Sequence, residues 1–276
     1  MITELAPAKL NLALHVRARR NDGYHEIETL FAFCRDGDRL EVEEASADAL
    51  TIVGPFATGL SSDDNLVLAA LSAMRRLAPG GIPPLANTLT KNLPVAAGIG
   101  GGSADAAAMI RVLDRQYSRL GDNIELARAT AYLGADVGAC VVGGTRIGHG
   151  VGADLGASLD DLAGCPVLLV NPRVALATGP VFAAWDGADR GPLPVGTARE
   201  IATAGRNDLE APALRLCPAI ADVLAALSRT DPWLRRMSGS GATCFALYDS
   251  PAARTSAAHA IVAEYPGWWC LETMLA

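Results

Sequence analysis

The chain has 276 residues, half of them hydrophobic, with 23 Lys+Arg against 30 Asp+Glu and a formal net charge of -7. That length and apolar content allow one large core or two ordinary ones, and they exclude intrinsic disorder. The acidic balance argues against holding nucleic acid or anionic lipid through bulk positive charge, so any phosphate has to be bound locally.

From Ala8 to Arg17 apolar Leu10, Leu12, Leu14 and Val16 alternate with Lys9, Asn11, Ala13, His15 and Arg17, the period of a strand. Lys9 and Asn11 therefore share a face. Asn21-Asp22-Gly23 suits a turn, Ile27 to Phe33 reads as the returning strand with Tyr24 and His25 at the hairpin end, and Arg39 to Glu43 as a further strand. Ser62-Asp63-Asp64 precedes an amphipathic helix from Asn65 to Leu77, ended by Pro79-Gly80-Gly81. A strand over Asn87–Leu93 leads to Pro94-Val95-Ala96-Ala97-Gly98-Ile99-Gly100-Gly101-Gly102-Ser103, and then to a helix with Ala106, Met109, Ile110, Leu113, Tyr117 and Leu120 on one side. The order is strand, glycine loop, helix. A second helix over Ile124–Leu133 stops at Gly134, and Val141 to Ile147 reads as a strand.

Gly148 to Gly164 lacks clear periodicity, and a domain boundary is expected within it, giving domains 1–155 and 156–276. Beyond it the pattern reads strand Pro166–Val170, helix near Pro180–Trp185, a Gly/Pro-rich loop, helix Pro218–Leu227, strand Thr243–Tyr248, helix Ala252–Glu264 and a terminal strand. This mixed order predicts an α+β fold rather than a doubly wound sheet. The N-terminus lacks the basic start and apolar run of a secretory signal, and no run approaches the ~18 apolar residues of a spanning helix, so the chain reads as cytoplasmic and not membrane-bound. The six cysteines are scattered and read as free thiols. Four histidines are too sparse for a zinc site.

The glycine loop is the strongest local signal. Missing Cβ atoms let backbone amides approach an anion, while the helix that follows presents positive charge at its N-terminus. The segment is not a P-loop, because no Gly-Lys-Ser/Thr follows. It is not a dinucleotide fingerprint either, because Gly98-x-Gly100-x-x-Ser103 lacks the third glycine or alanine. Taken alone, it fits both a phosphate cradle and a tight turn with Ser103 capping its helix. Only Lys9 and Lys91 are lysines in a chain whose habitual cation is arginine, so neither is a default surface choice.

Four segments recur together in known order: Ala6-Pro7-Ala8-Lys9-Leu10-Asn11-Leu12, Asp22-Gly23-Tyr24-His25, the run from Leu93 to Ala107, and Ser238-Gly239-Ser240-Gly241-Ala242-Thr243-Cys244. Together they resemble the GHMP kinases, the superfamily of galactokinase, homoserine kinase and mevalonate kinase, and the similarity runs nearly end to end. The resemblance implies a two-domain fold with the active site in the inter-domain cleft, ATP as co-substrate, Mg²⁺ near Ser103, and a small-molecule cytidine diphospho-sugar alcohol as acceptor. It implies that residues Pro94 to Ser103 bind the ATP phosphates, that Asn65 and Leu66 line the adenosine with Lys91 close by, and that Asp136 and Lys9 are catalytic. Asn11, Tyr24, His25, Phe182 and the second glycine loop, Gly239, Ser240 and Gly241, are implied to face the acceptor.

Plainer readings stand beside these: Asp136 as a helix N-cap, Lys9 as a solvated strand residue, His25 as a hairpin histidine, and Arg206-Asn207-Asp208-Leu209 as a cap outside the catalytic set. The chain departs from the family pattern at Gly138, where proline is usual, and at Ala153, where an acidic residue is usual. Two other functions remain open on the same scaffold: a homoserine- or mevalonate-type kinase, and a catalytically silent nucleotide-binding protein. Monomer and homodimer are both open.

Overall fold

A computed structural model describes residues 1–78, 81–117 and 131–276. They form two compact units. The first comprises Met1–Ala8, Asp36–Val95 and Gly100–Val142, and the second Lys9–Arg35, Ala96–Ile99 and Gly143–Ala276. The chain passes from one unit to the other within its two longest strands and within the glycine loop.

Those strands are β1 (Ile2–Arg19) and β2 (His25–Glu44), which pair with each other. The expected separate strands Ile27–Phe33 and Arg39–Glu43 are thus one, because Gly37 replaces a side chain where the partner strand passes: a Cβ there would stand 2.6 Å from Pro7 Cα. In the first unit, Arg39–Glu44 of β2 pairs antiparallel with β4 (Leu85–Thr90), which in turn pairs parallel with β3 (Ala49–Val53). Helices α1 (Leu66–Leu77), α2 (Gly101–Gln116) and α3 (Val137–Val142) pack in that order. Helix α1 buries Val67, Ala70, Leu71 and Met74, one stripe at helical spacing. Helix α2 is buried at every position from Ala104 to Ile110, and its alanines let neighbours approach on all sides.

In the second unit, Ile27–Phe31 of β2 pairs antiparallel with β5 (Arg146–Gly150), and β5 with β6 (Asp154–Ser158). A separate antiparallel sheet has the order β10 (Trp269–Met274), β7 (Pro166–Asn171), β9 (Cys244–Leu247), β8 (Leu234–Met237). Helices α4 (Thr178–Ala183), α5 (Ala198–Ala204), α6 (Glu210–Leu216), α7 (Ala219–Ser228) and α8 (Pro251–Glu264) complete the unit. Its core joins Leu14, Val16, Leu168, Val170, Ile220, Val223 and Ile261.

The expected strand Val141–Ile147 is instead the end of α3, then Gly143-Gly144 with both φ values positive, then β5. The stretch Gly148–Gly164 carries the β5–β6 hairpin. Its alternation is hidden because Gly148 and Gly152 make room for the Phe31 ring, whose carbons would lie 2.7 and 3.3 Å from added Cβ atoms. Helices α5 and α6 fill part of the expected loop. The predicted terminator at Pro79-Gly80 and most of the predicted helix over Ile124–Leu133, with Leu120, lie outside the described residues. All six cysteines are free, and among the described residues no helix is long and apolar enough to cross a membrane.

Candidate functional site

In the first unit, Asn65 caps α1, its Oδ1 accepting from the Val67 amide at 3.0 Å. Leu66 then reaches the start of α2, its Cδ1 3.4 Å from where a Cβ on Gly102 would be. The cap of α2 is Gly100, at φ +66° and with no side-chain hydrogen bond to the helix amides. Ser103 is therefore the third helical residue, not the cap, which removes the plainer reading of it. A glycine cap offers the first amides of α2 no side-chain acceptor of its own, the condition under which a helix start can receive an anion.

Lys91, just past β4, is buried and paired to two carboxylates, Asp38 and Asp105, the latter at 2.6 Å. Burial opposes its charge, and the two carboxylates outweigh burial and raise its pKa. Asp105 sits in the second turn of α2. Burial lifts it, Lys91 opposes that and Asp38 adds to it, so that it titrates at about 7. Asp136 stands immediately before α3 and its carbonyl accepts from the Cys140 amide at 3.0 Å, so it does occupy an N-cap position.

In the second unit, the Lys9 amide donates to the Ile99 carbonyl at 2.9 Å, and the Thr243 amide to the Ala97 carbonyl at 3.1 Å. Lys9 Nζ donates to Asn11 Oδ1 at 2.9 Å, and Asn11 Nδ2 to Thr29 Oγ1 at 2.8 Å. Both faces of β1 are covered here and Lys9 is only 4% exposed, so the solvated reading of Lys9 does not hold. Ser238 Oγ accepts from the Asn11 amide at 3.2 Å and donates to the Gly98 carbonyl at 2.9 Å. An added Cβ on Gly239 would lie 2.9 Å from the Gly98 carbonyl oxygen and 3.1 Å from Asn11 Oδ1. Lys9, Asn11, Gly98 and the second glycine loop thus form one cluster. Ser240 Oγ lies 3.0 Å from Thr178 Oγ1 at the start of α4.

Asn207 fastens this cluster from behind: its Nδ2 donates to the carbonyls of Met237 and Gly239, both at 2.8 Å. Asp208 accepts from the Val16 amide at 2.9 Å and holds β1. The pair reads from sequence as a helix cap, and Asn207 Oδ1 does accept from the Leu209 amide at 2.9 Å, but its burial beside two loops is a tertiary fact that spacing does not announce.

His25 meets Phe182, ring centroids 5.0 Å apart, and stands edge-on to Trp185 at 5.8 Å. Burial, with the positive charge of Arg19, lowers the His25 pKa and keeps the imidazole neutral near pH 7. Among the described residues, His25 Nε2 and Trp185 Nε1 are buried without a hydrogen-bond partner. Each is a polar atom whose burial is costly until something pairs with it. Tyr24 is exposed at the turn, its amide bonded to Asp22 Oδ1 at 3.1 Å. Trp185, where the predicted helix ends, stands beside His25, a contact that spacing does not single out.

Residues 65–144 match the family model for the GHMP kinases N terminal domain, and residues 195–267 the model for the GHMP kinases C terminal. The chain belongs to the GHMP kinase family. The chain is 58% identical to 4-diphosphocytidyl-2-C-methyl-D-erythritol kinase of Sphingopyxis alaskensis, over 96% of this chain and 95% of that one. It is also 58% identical to the protein of that name from Erythrobacter litoralis, over 98% and 97%. A crystal structure of 4-(cytidine 5'-diphospho)-2C-methyl-D-erythritol kinase is similar at TM-score 0.82 with 35% identity, covering 99% of both chains. Homoserine kinase from Cytophaga hutchinsonii shares the GHMP kinase fold at TM-score 0.72 with 17% identity, over 99% and 94%.

Proposed function

We propose that this GHMP kinase transfers the terminal phosphoryl group of ATP to an alcohol, the 2-hydroxyl, of 4-diphosphocytidyl-2-C-methyl-D-erythritol, a step in isoprenoid precursor synthesis. The observation that carries this reading is the 58% identity, over nearly the whole of both chains, to two kinases named for that acceptor. In this reading the Asp136 carboxylate takes the acceptor's hydroxyl proton. The Lys9 ammonium, oriented by Asn11, stabilises charge on the transferring phosphoryl oxygens. The amides of the glycine loop and the start of α2 hold the phosphates, with Asn65 and Leu66 toward the adenosine.

His25, Phe182 and Trp185 supply an aromatic wall with two unpaired nitrogens, a combination that suits a flat base bearing hydrogen-bonding edges, here cytosine. Neutral imidazole can donate or accept at Nε2 according to tautomer, which allows pairing with a pyrimidine edge.

Magnesium fits the residues present. No three His, Cys, Asp or Glu side chains gather as a ligand set among the described residues. Mg²⁺ keeps several waters and is usually held by substrate phosphates with one or two carboxylates, so Ser103 would add a hydroxyl at the amide-rich turn to ligands supplied mainly by the phosphates and water. When bound, the ion neutralises phosphate charge.

The test is ADP release coupled to a colorimetric readout, with the cytidine diphospho-sugar alcohol, homoserine or mevalonate as acceptor. Turnover with the first alone supports the proposal. Turnover only with homoserine or mevalonate overturns the acceptor, and nucleotide binding without acceptor-dependent ADP release overturns the catalytic reading.

A further inference from the structure

The first unit contains three buried ionisable groups in contact, Asp38, Lys91 and Asp105, of which the resemblance places only Lys91 near the nucleotide. Asp38 is fully buried, Lys91 3% exposed and Asp105 4% exposed. One Asp38 oxygen accepts from two consecutive backbone amides, Asn92 at 2.6 Å and Leu93 at 2.9 Å, just ahead of the glycine loop. Its other oxygen takes the Lys91 ammonium, and that ammonium donates in turn to Asp105 on α2, just beyond the loop. A Cβ on Gly101, the first residue of α2, would lie 3.5 Å from Lys91 Nζ and 3.6 Å from Asp38 Oδ2. The charges therefore sit against the helix start and tie together the chain on either side of the loop.

We infer that Asp38, Lys91 and Asp105 are a positioning clamp for the phosphate-binding loop, holding its two ends at the separation that aims the first amides of α2 at the nucleotide. The inference deepens the ATP reading and rests on it.

Chemistry favours this over simple structural filling. A buried lysine between two carboxylates is seldom more stable than a well-packed apolar trio, so such a cluster makes sense where it fixes geometry. Asp105 Oδ1 has no partner among the described residues, leaving Lys91 as the group that offsets its burial. Loss of Lys91 or Asp105 uncouples the same two segments, so the two changes report one linkage.

The experiment measures KM for ATP, KM for the acceptor, kcat and melting temperature in wild type, Asp105→Asn, Asp105→Leu, Lys91→Met and the Asp105→Leu/Lys91→Met double variant. Asparagine keeps an acceptor for Lys91, whereas leucine removes it. The clamp predicts an ATP KM within about threefold of wild type for Asp105→Asn and raised about tenfold or more for Asp105→Leu. The acceptor KM stays within about twofold, and the double variant is no worse than the more affected single one. Equal rises in both KM values, or an unchanged ATP KM in folded Asp105→Leu, overturn it. So do additive effects in the double variant, because independent contacts add. Should Asp105→Leu fail to fold, Asp105→Ala, which also removes the acceptor, decides by the same split. Wild type that fails to use ATP at all refutes the nucleotide reading instead, a distinct result.

Discussion

Gly98→Ala places a methyl group against backbone instead of side chain. The residue sits at φ +73°, and its new Cβ would lie 2.7 Å from both the amide nitrogen and the carbonyl oxygen of Gly241 and closer still to the Ser238 carbonyl. No rotamer change relieves contacts with main chain, so Gly98 and the second glycine loop have to separate. The left-handed backbone costs an alanine about 1–2 kcal/mol, and overpacking typically costs a further 1–3 kcal/mol. At roughly 2–4 °C per kcal/mol for chains of this size class, melting falls by about 4–20 °C. Separation also breaks the Ser238 hydrogen bonds to Gly98 and Asn11 that set the position of Lys9, so kcat falls with it. Differential scanning calorimetry and steady-state kinetics read both effects. Gly267→Ala, with nothing within 4 Å of its Cβ, is the neutral control. A Gly98→Ala protein melting within about 2 °C of wild type with unchanged kcat refutes the reasoning, since ordinary surface changes stay within ~0.5 kcal/mol.

Lys9→Arg puts a guanidinium fork where a compact ammonium is buried against Asn11, and kcat should fall about 100-fold or more, with circular dichroism unchanged. Asp136→Asn should bind ATP and acceptor by calorimetry within a few-fold of wild type yet lose about 10²–10⁴-fold in kcat. Phe182→Ala removes the ring beside His25, and the acceptor KM should rise about 3–10-fold with the ATP KM unmoved. Asp105 titrates at about 7 in the folded chain, well above its ordinary value of 3.8, so its proton stabilises the fold at low pH. That contribution is complete below 3.8 and is lost as pH rises through 7. The melting temperature of wild type relative to Asp105→Asn should therefore fall between about pH 4 and 7 and level off above, and a flat difference contradicts it.

Several parts of the molecule were legible because their signal is local. Alternation marked the core of β1, Ser62-Asp63-Asp64 ahead of leucines at helical spacing marked α1, though its cap is Asn65, and the run from Pro94 to Ser103 marked a loop feeding a helix. The face of β1 carrying Lys9 and Asn11 reads as polar, and only the structure shows it buried and hydrogen-bonded, because what covers a strand is a long-range property. Helix α5 announced itself through Thr197-x-x-Glu200, which closes a capping box, but seven residues inside a Gly/Pro-rich stretch gave too short a period to notice. Helix α6 and strand β8, seven and four residues long, fall to the same limit. Trp185, Asp38, Asp105 and Asn207 escaped for another reason: each acquires its role from a partner distant in sequence, as Asp38 does from Lys91 and Asn207 from Gly239.

Phosphorus-31 nuclear magnetic resonance on a single reaction tests the central claim most directly. With ATP, Mg²⁺ and the cytidine diphospho-sugar alcohol, ADP should appear in step with a new phosphomonoester resonance on the acceptor, while its diphosphate signals persist. Release of inorganic phosphate without that resonance, or no change while homoserine or mevalonate is phosphorylated, contradicts the account.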